Sequence, residues 1–90
     1  MRHTYIIMVR LKNINKTKDY IEWDYYPEDS KEYGYIKMSL TDFEIMEERL
    51  HYLDKKRAGY TIYKRMSKNH LIRKIKNNEV IPKEITVMWY

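Results

Sequence analysis

From Thr4 to Lys12 the side chains alternate, with Tyr5, Ile7, Val9 and Leu11 on one side of an extended segment and Ile6, Met8 and Arg10 on the other. A period of two predicts a β-strand, because successive side chains of an extended chain point to opposite faces of a sheet. Both faces begin apolar, which predicts a central strand. Asn13 to Lys18 is polar and reads as a turn. Next, Ile21, Trp23 and Tyr25 alternate with Glu22, Asp24 and Tyr26, giving a second strand with one apolar and one largely acidic face. Pro27, Glu28, Asp29 and Ser30 form a strong turn signal. A third strand from Tyr33 to Leu40 sends Ile36, Met38 and Leu40 inward and Tyr33, Tyr35, Lys37 and Ser39 outward. Three strands with short connections predict an antiparallel meander.

Thr41 to Leu53 supports two readings. Thr41, Asp42, Phe43 and Glu44 match a capping box, in which a threonine hydroxyl and a glutamate three residues later satisfy free amides at a helix start. Phe43, Met46, Leu50 and Leu53 follow at helical spacings, so the helix is the favoured reading. The competing reading makes Thr41 and Asp42 a hairpin turn and Phe43 to Glu48 a fourth strand. Beyond a charged connection from Asp54 to Gly59, the spacing of Tyr63, Met66, His70, Leu71 and Ile75 predicts a helix over Tyr60 to Asn77. Arg65, Lys68 and Lys76 fall on its opposite side, and Asn77, Asn78 and Pro82 end it. Ile85, Val87 and Trp89 alternate with Thr86, Met88 and Tyr90 in a last strand from Glu84 to Tyr90. The fold class expected is a single α+β domain over 1–90, an antiparallel sheet of three N-terminal strands plus a C-terminal strand, packed by one or two helices.

Ninety residues suffice for one modest core, and 43% hydrophobic residues with two glycines and two prolines place the chain in the globular range. No cysteine is present, so neither disulfides nor thiolate zinc sites are available, which suits a reducing cytoplasm. No apolar run approaches the roughly 20 residues that span a bilayer, and the run from Tyr5 to Val9 is short for a signal-peptide core. Export and membrane insertion are therefore not expected. Abundant Ile, Lys, Asn and Tyr beside a single alanine, Ala58, point to an AT-rich bacterial or phage genome.

The net charge of +5 conceals segregation along the chain. Met1 to Lys18 carries five cations and no carboxylate, Asp19 to Glu48 two cations and ten carboxylates, and Arg49 to Tyr90 eleven cations and three carboxylates. Such asymmetry bears on partners more than on fold.

Glycine occurs only at Gly34 and Gly59, so phosphate-wrapping loops and dinucleotide fingerprints are absent. Ser30, Ser39 and Ser67 lack the glycine-flanked elbow of a nucleophilic serine. Among Glu47, Glu48, His51 and Asp54, a helix would set Glu47 and His51 one turn apart and make Glu48 and His51 a Glu-x-x-His pair, suiting two metal ligands or an acid–base pair. No second Glu-x-x-His exists to complete a di-metal bundle, and a charged, solvated helix face explains the group more simply. His70, among Tyr63, Met66 and Leu71, reads as a neutral packed imidazole. Glu22, Asp24, Glu28, Asp29 and Glu32 are acidic enough to attract a cation but lack the alternating ligands and central glycine of a calcium loop. No cofactor or metal is expected.

Two surfaces carry the functional expectation. Tyr20, Tyr26, Tyr33 and Tyr35 fall on the outward side of the second and third strands, where tyrosine gives large contact area at low entropic cost. Cross-strand aromatic pairing is the structural alternative. Lys55, Lys56, Arg57, Arg65, Lys68 and Lys76, with Arg73 and Lys74 and interspersed Tyr52, Tyr60 and Tyr63, could neutralise phosphates and stack bases. The expected function is a non-catalytic, cytoplasmic protein–protein interaction module that uses the tyrosine face and self-associates through complementary charge. The alternative is nucleic-acid binding by the basic C-terminal helix. A small enzyme resting on Glu48, His51 and His70 ranks third.

Overall fold

The structure is a computed structural model that describes residues 7–55 and 61–89, the side chain of Trp89 excepted. Its elements follow in the order β1 (Ile7–Lys16), β2 (Tyr20–Pro27), β3 (Gly34–Ser39), β4 (Ile45–Arg49), α1 (Tyr52–Lys55), α2 (Ile62–Lys76) and β5 (Ile85–Trp89). The five strands form one sheet in the order β4-β3-β2-β1-β5, and every adjacent pair is antiparallel. The expected α+β architecture is present, with β1 in the interior of the sheet because β5 returns beside it.

Period-two alternation makes one face of this sheet the core. Register places Leu11 opposite Tyr25, Tyr25 opposite Gly34, Trp23 opposite Ile36, Ile21 opposite Met38 and Val9 opposite Val87. These apolar side chains are buried, and Met66 and Leu71 of α2 complete the cluster from above. The helix is oriented as well as glued: the Trp23 indole N–H donates to Ser67 Oγ at 3.0 Å, and that hydroxyl donates to the Lys64 carbonyl at 2.9 Å. A buried indole with a satisfied N–H fixes where α2 sits along β2.

The favoured helix over Thr41 to Leu53 is not formed; the hairpin reading holds. Ser39 N–H bonds the Glu44 carbonyl at 2.9 Å and Phe43 N–H bonds the Ser39 carbonyl at 3.0 Å, closing a tight loop from β3 into β4. The amides that a capping box would have used are taken locally, Thr41 N–H by Ser39 Oγ and Glu44 N–H by Asp42 Oδ1. Phe43 turns left-handed, at φ 60°, to finish the turn. Pairing with the free edge of β3 outcompetes local capping, and it leaves Met46 exposed at a register shift.

The polar stretch after Lys12 likewise extends the strand instead of ending it. Asn13 adopts φ 54° and makes a bulge, after which the ladder resumes at Asn15 opposite Glu22 and the turn shrinks to the residues around Thr17. At the other end of the chain, α2 stops where Asn77 and Asn78 predict. Asn78 is left-handed at φ 56°, Asn78 N–H bonds the Ile75 carbonyl and Glu79 N–H bonds the Lys74 carbonyl, a Schellman termination.

Candidate functional site

Alternation that buries one face of the sheet leaves the other to Met8, Arg10 and Lys12 of β1, Tyr20, Glu22, Asp24 and Tyr26 of β2, Tyr35, Lys37 and Ser39 of β3, and Glu47 and Arg49 of β4. The sequence-predicted tyrosines therefore share one face. Tyr20, Tyr26 and Tyr35 are half-buried there, and Tyr33, just ahead of β3, is 42% exposed.

Charge that is segregated along the chain is interleaved across this face, because antiparallel strands set the basic β1 against the acidic β2. Lys12 lies opposite Asp24, and Lys37 stands between Glu22 on one neighbour and Glu47 on the other. The outward side of β2 is acidic as expected, but the segregation read along the chain does not carry over to the sheet surface. Cations also lie over the rings: Arg10 and Lys12 over Tyr26 at 5.4 and 5.1 Å, Lys37 over Tyr20 at 4.3 Å and Arg49 over Tyr33 at 5.0 Å. Tyr26 and Tyr33 touch at a centroid distance of 5.2 Å. Tyr35 Oη donates to Glu22 Oε1 at 2.6 Å, which with a second bond from Asn15 holds the Glu22 carboxyl below its ordinary range. Burial, and then that same bond to an anion, pushes the Tyr35 phenol up. A shallow cavity of about 350 Å³ opens here between Asp24, Tyr33, Tyr35, Glu47, Glu48 and Arg49.

Behind the sheet lies a second, buried constellation, which sequence reasoning reaches only in part: it groups His51 with Asp54 but favours a solvated helix face for both, and it misses Tyr25 and Ser30. Asp54 is only 2% exposed, although it reads as part of a charged connection. Its carboxylate accepts Tyr63 N–H at 3.1 Å, Lys64 N–H at 3.0 Å and Tyr25 Oη–H at 2.8 Å. Thr61, at the N-cap of α2, makes no side-chain cap bond among the described residues, and Asp54 caps the helix from seven residues upstream. Tyr25 Oη in turn accepts His51 N–H at 2.9 Å, and the ring lies across Gly34, where any β-carbon would overlap it. Burial pushes the Tyr25 phenol far up.

His51, also 2% exposed, bonds Ser30 Oγ through Nε2 at 2.8 Å. A serine beside a histidine, with an aspartate nearby, invites a hydrolytic reading. The bonding pattern gives a different one. Nδ1 accepts Leu53 N–H at 3.1 Å, so in the neutral ring Nε2 carries the proton and donates to Ser30. Such an imidazole cannot take the serine proton, and Asp54 bonds Tyr25 and α2 instead of the ring. Burial holds the His51 pKa down, consistent with a neutral brace between the β2–β3 connection and α1.

The remaining sequence candidates disperse. Glu47 and Glu48 occupy adjacent positions on β4, with Glu48 bound by Lys64 Nζ at 2.7 Å, while His51 and Asp54 lie in the buried node. No group of potential metal ligands forms among the described residues. His70 is half-buried on α2 with Nε2 enclosed and unbonded among the described residues, and burial lowers its pKa. Of the basic candidates, Lys55 is exposed, Lys56 and Arg57 lie outside the described residues, Arg65 and Lys76 are exposed and Lys68 is half-buried. Lys76 also lies over Phe43 at 5.7 Å, and Lys74 pairs Glu79 at 3.3 Å.

No helix among the described residues is long and apolar enough to cross a membrane. The chain matches no protein-family model, no curated protein and no solved structure.

Proposed function

We propose that the chain is a non-catalytic binding module, of a kind that suits a reducing cytoplasm, whose contact surface is the open face of the sheet. The observation that carries this reading is the presence of Tyr20, Tyr26, Tyr33 and Tyr35 on one face that no other described element covers, three of them with cations from neighbouring strands over their rings. Rings already ordered lose little entropy on contact, which is what makes tyrosine an effective interface residue. The test is affinity capture with three baits: the parent, Tyr33→Ala/Tyr35→Ala, and Asn69→Ala as an exposed helix control. A partner retained by the parent and the control and lost by the tyrosine variant supports the proposal. A strictly monomeric parent with no partner, or a partner that ignores the tyrosine variant, defeats it.

A second reading, nucleic-acid binding by α2, is favoured by one observation: Ile62 to Lys76 contains six cations and no carboxylate. Its signature is affinity that drops steeply with salt and weakens on Arg65→Ala, Lys68→Ala or Lys76→Ala, read by gel shift.

A further inference from the structure

Three tyrosines of the open face hold cations over their rings: Tyr20 under Lys37, Tyr26 under Arg10 and Lys12, and Tyr33 under Arg49. The fourth, Tyr35, carries none among the described residues. Its hydroxyl is committed to Glu22, so what it offers is its ring, and that ring lines the cavity at the β3–β4 edge. Asp24 and Glu47 line the same cavity. Asp24 accepts one bond, from Asn13 Nδ2 at 2.8 Å, and Glu48 is taken by Lys64. Two carboxylates with acceptor capacity beside an aromatic surface form a receptor for an organic cation, since both the ring quadrupole and the negative charge favour one there. Arg49 lines the cavity as well, with its guanidinium over Tyr33 and not over Tyr35.

The opposite side of the molecule has the complementary surplus. Lys64 and Lys74 are paired with glutamates and Lys76 lies over Phe43. Arg65, Lys68 and Arg73 form no ion pair among the described residues, on a helix with no carboxylate of its own. Like charges three and four residues apart raise the energy of a helix and are relieved by an anionic surface.

We propose that the cavity over Tyr35 receives an arginine or lysine side chain from α2 of a second copy of the chain. This inference rests on the open face being the contact surface and names the partner. The donor helix covers the core face and the receptor lies on the other, so the contact is heterologous: each molecule gives its helix to one neighbour and its cavity to another. Association of this kind extends head to tail instead of stopping at a dimer.

Sedimentation velocity on the full chain tests this. The parent gains mass with concentration at low salt and returns to monomer at high salt, because the contact is between exposed charges. Glu47→Lys removes the receptor and Arg65→Glu/Arg73→Glu removes the donor; all three positions are exposed, and circular dichroism verifies that both variants fold. Each variant alone self-associates at least about tenfold more weakly than the parent, since like charges now meet. Mixed in equal amounts they pair, through the intact cavity of one and the intact helix of the other, into a complex that stops at one of each. A parent that is monomeric at low salt, variants that associate as the parent does, or a mixture that fails to pair overturns the proposal. Tyr33→Ala/Tyr35→Ala still losing a different captured protein in that event separates the failure of this inference from failure of the open-face reading. Nucleic-acid binding lost on Arg65→Glu/Arg73→Glu with self-association unchanged likewise overturns it and assigns the helix to phosphates.

Discussion

The protein contains two polar networks, each built on a tyrosine hydroxyl bonded to a carboxylate, and they differ most in burial. Behind the sheet, Tyr25, Asp54 and His51 bond one another and the first turn of α2 with almost no access to water, and half-buried Ser30 bonds His51 at their margin. On the open face, Tyr35, Glu22, Lys37 and Arg49 make comparable contacts half in solvent. In the buried network a lost member strands its partners without water to replace it, so each bond is costly to break. On the open face water substitutes at little cost, and the same groups are free to exchange an internal contact for one with a partner. The first network holds the fold; the second is the one that the proposed binding would use.

That contrast breaks most visibly at Asp54. Asp54→Ala leaves two helix amides and the Tyr25 O–H without their acceptor, and denaturant unfolding is expected to show a loss of roughly 3 kcal/mol. A loss under about 1 kcal/mol, the scale of an exposed cap, would place Asp54 in the same class as the surface groups. Gly34→Ala drives a methyl into the Tyr25 ring and is expected to cost roughly 2 kcal/mol by the same measurement. Tyr25→Phe keeps the ring and removes only the hydroxyl, at roughly 1 to 2 kcal/mol.

Acid sharpens the comparison from the histidine side. Both His51 and His70 are held by burial below the ordinary value of 6.5. Above that value neither the folded nor the unfolded chain protonates them, and they contribute no pH dependence. As pH falls below about 6.5 the unfolded chain takes up protons that the folded chain resists, so stability declines. Denaturant midpoints at about pH 7 and about pH 5 measure the slope, and His51→Gln is expected to flatten part of it. Asp54 and Glu32 oppose the effect at His51, as Glu79 does at His70, whereas Lys74 and Arg73 reinforce it there. The smallest effect belongs to the open face: Arg49→Ala, which uncovers the Tyr33 ring, is expected to move stability by less than about 1 kcal/mol.

What could be read in the sequence follows the same division. Strand faces, the outward tyrosines, the interior position of β1 and the asparagine stop of α2 are local patterns, set by period or by conformational preference at a few adjacent residues. The β4 hairpin was legible only as an alternative, because Thr41 and Glu44 carry a local helix signal that loses to pairing with β3. Interleaving of charge on the open face was hidden by reading charge along the chain, when antiparallel pairing brings β1 against β2. The buried node is legible only in the pairing of His51 with Asp54, for a related reason. Tyr25 and Asp54 are 29 residues apart and Ser30 and His51 are 21 apart, so no spacing rule joins them. An aspartate followed by lysines looks like surface, and its role as a cap appears only once α2 has been set down beside it.

Two tyrosines, one from each network, test the division most directly. Tyr25→Phe and Tyr35→Ala are each measured for unfolding free energy and for binding by the folded protein, whether to a captured partner or to further copies of the chain. The expected result is a crossed one: Tyr25→Phe loses stability and binds as the parent does, while Tyr35→Ala stays within about 1 kcal/mol of the parent and binds no longer. If Tyr35→Ala binds normally, or if Tyr25→Phe abolishes binding at full stability, burial does not separate the two roles and the open face is not the contact surface.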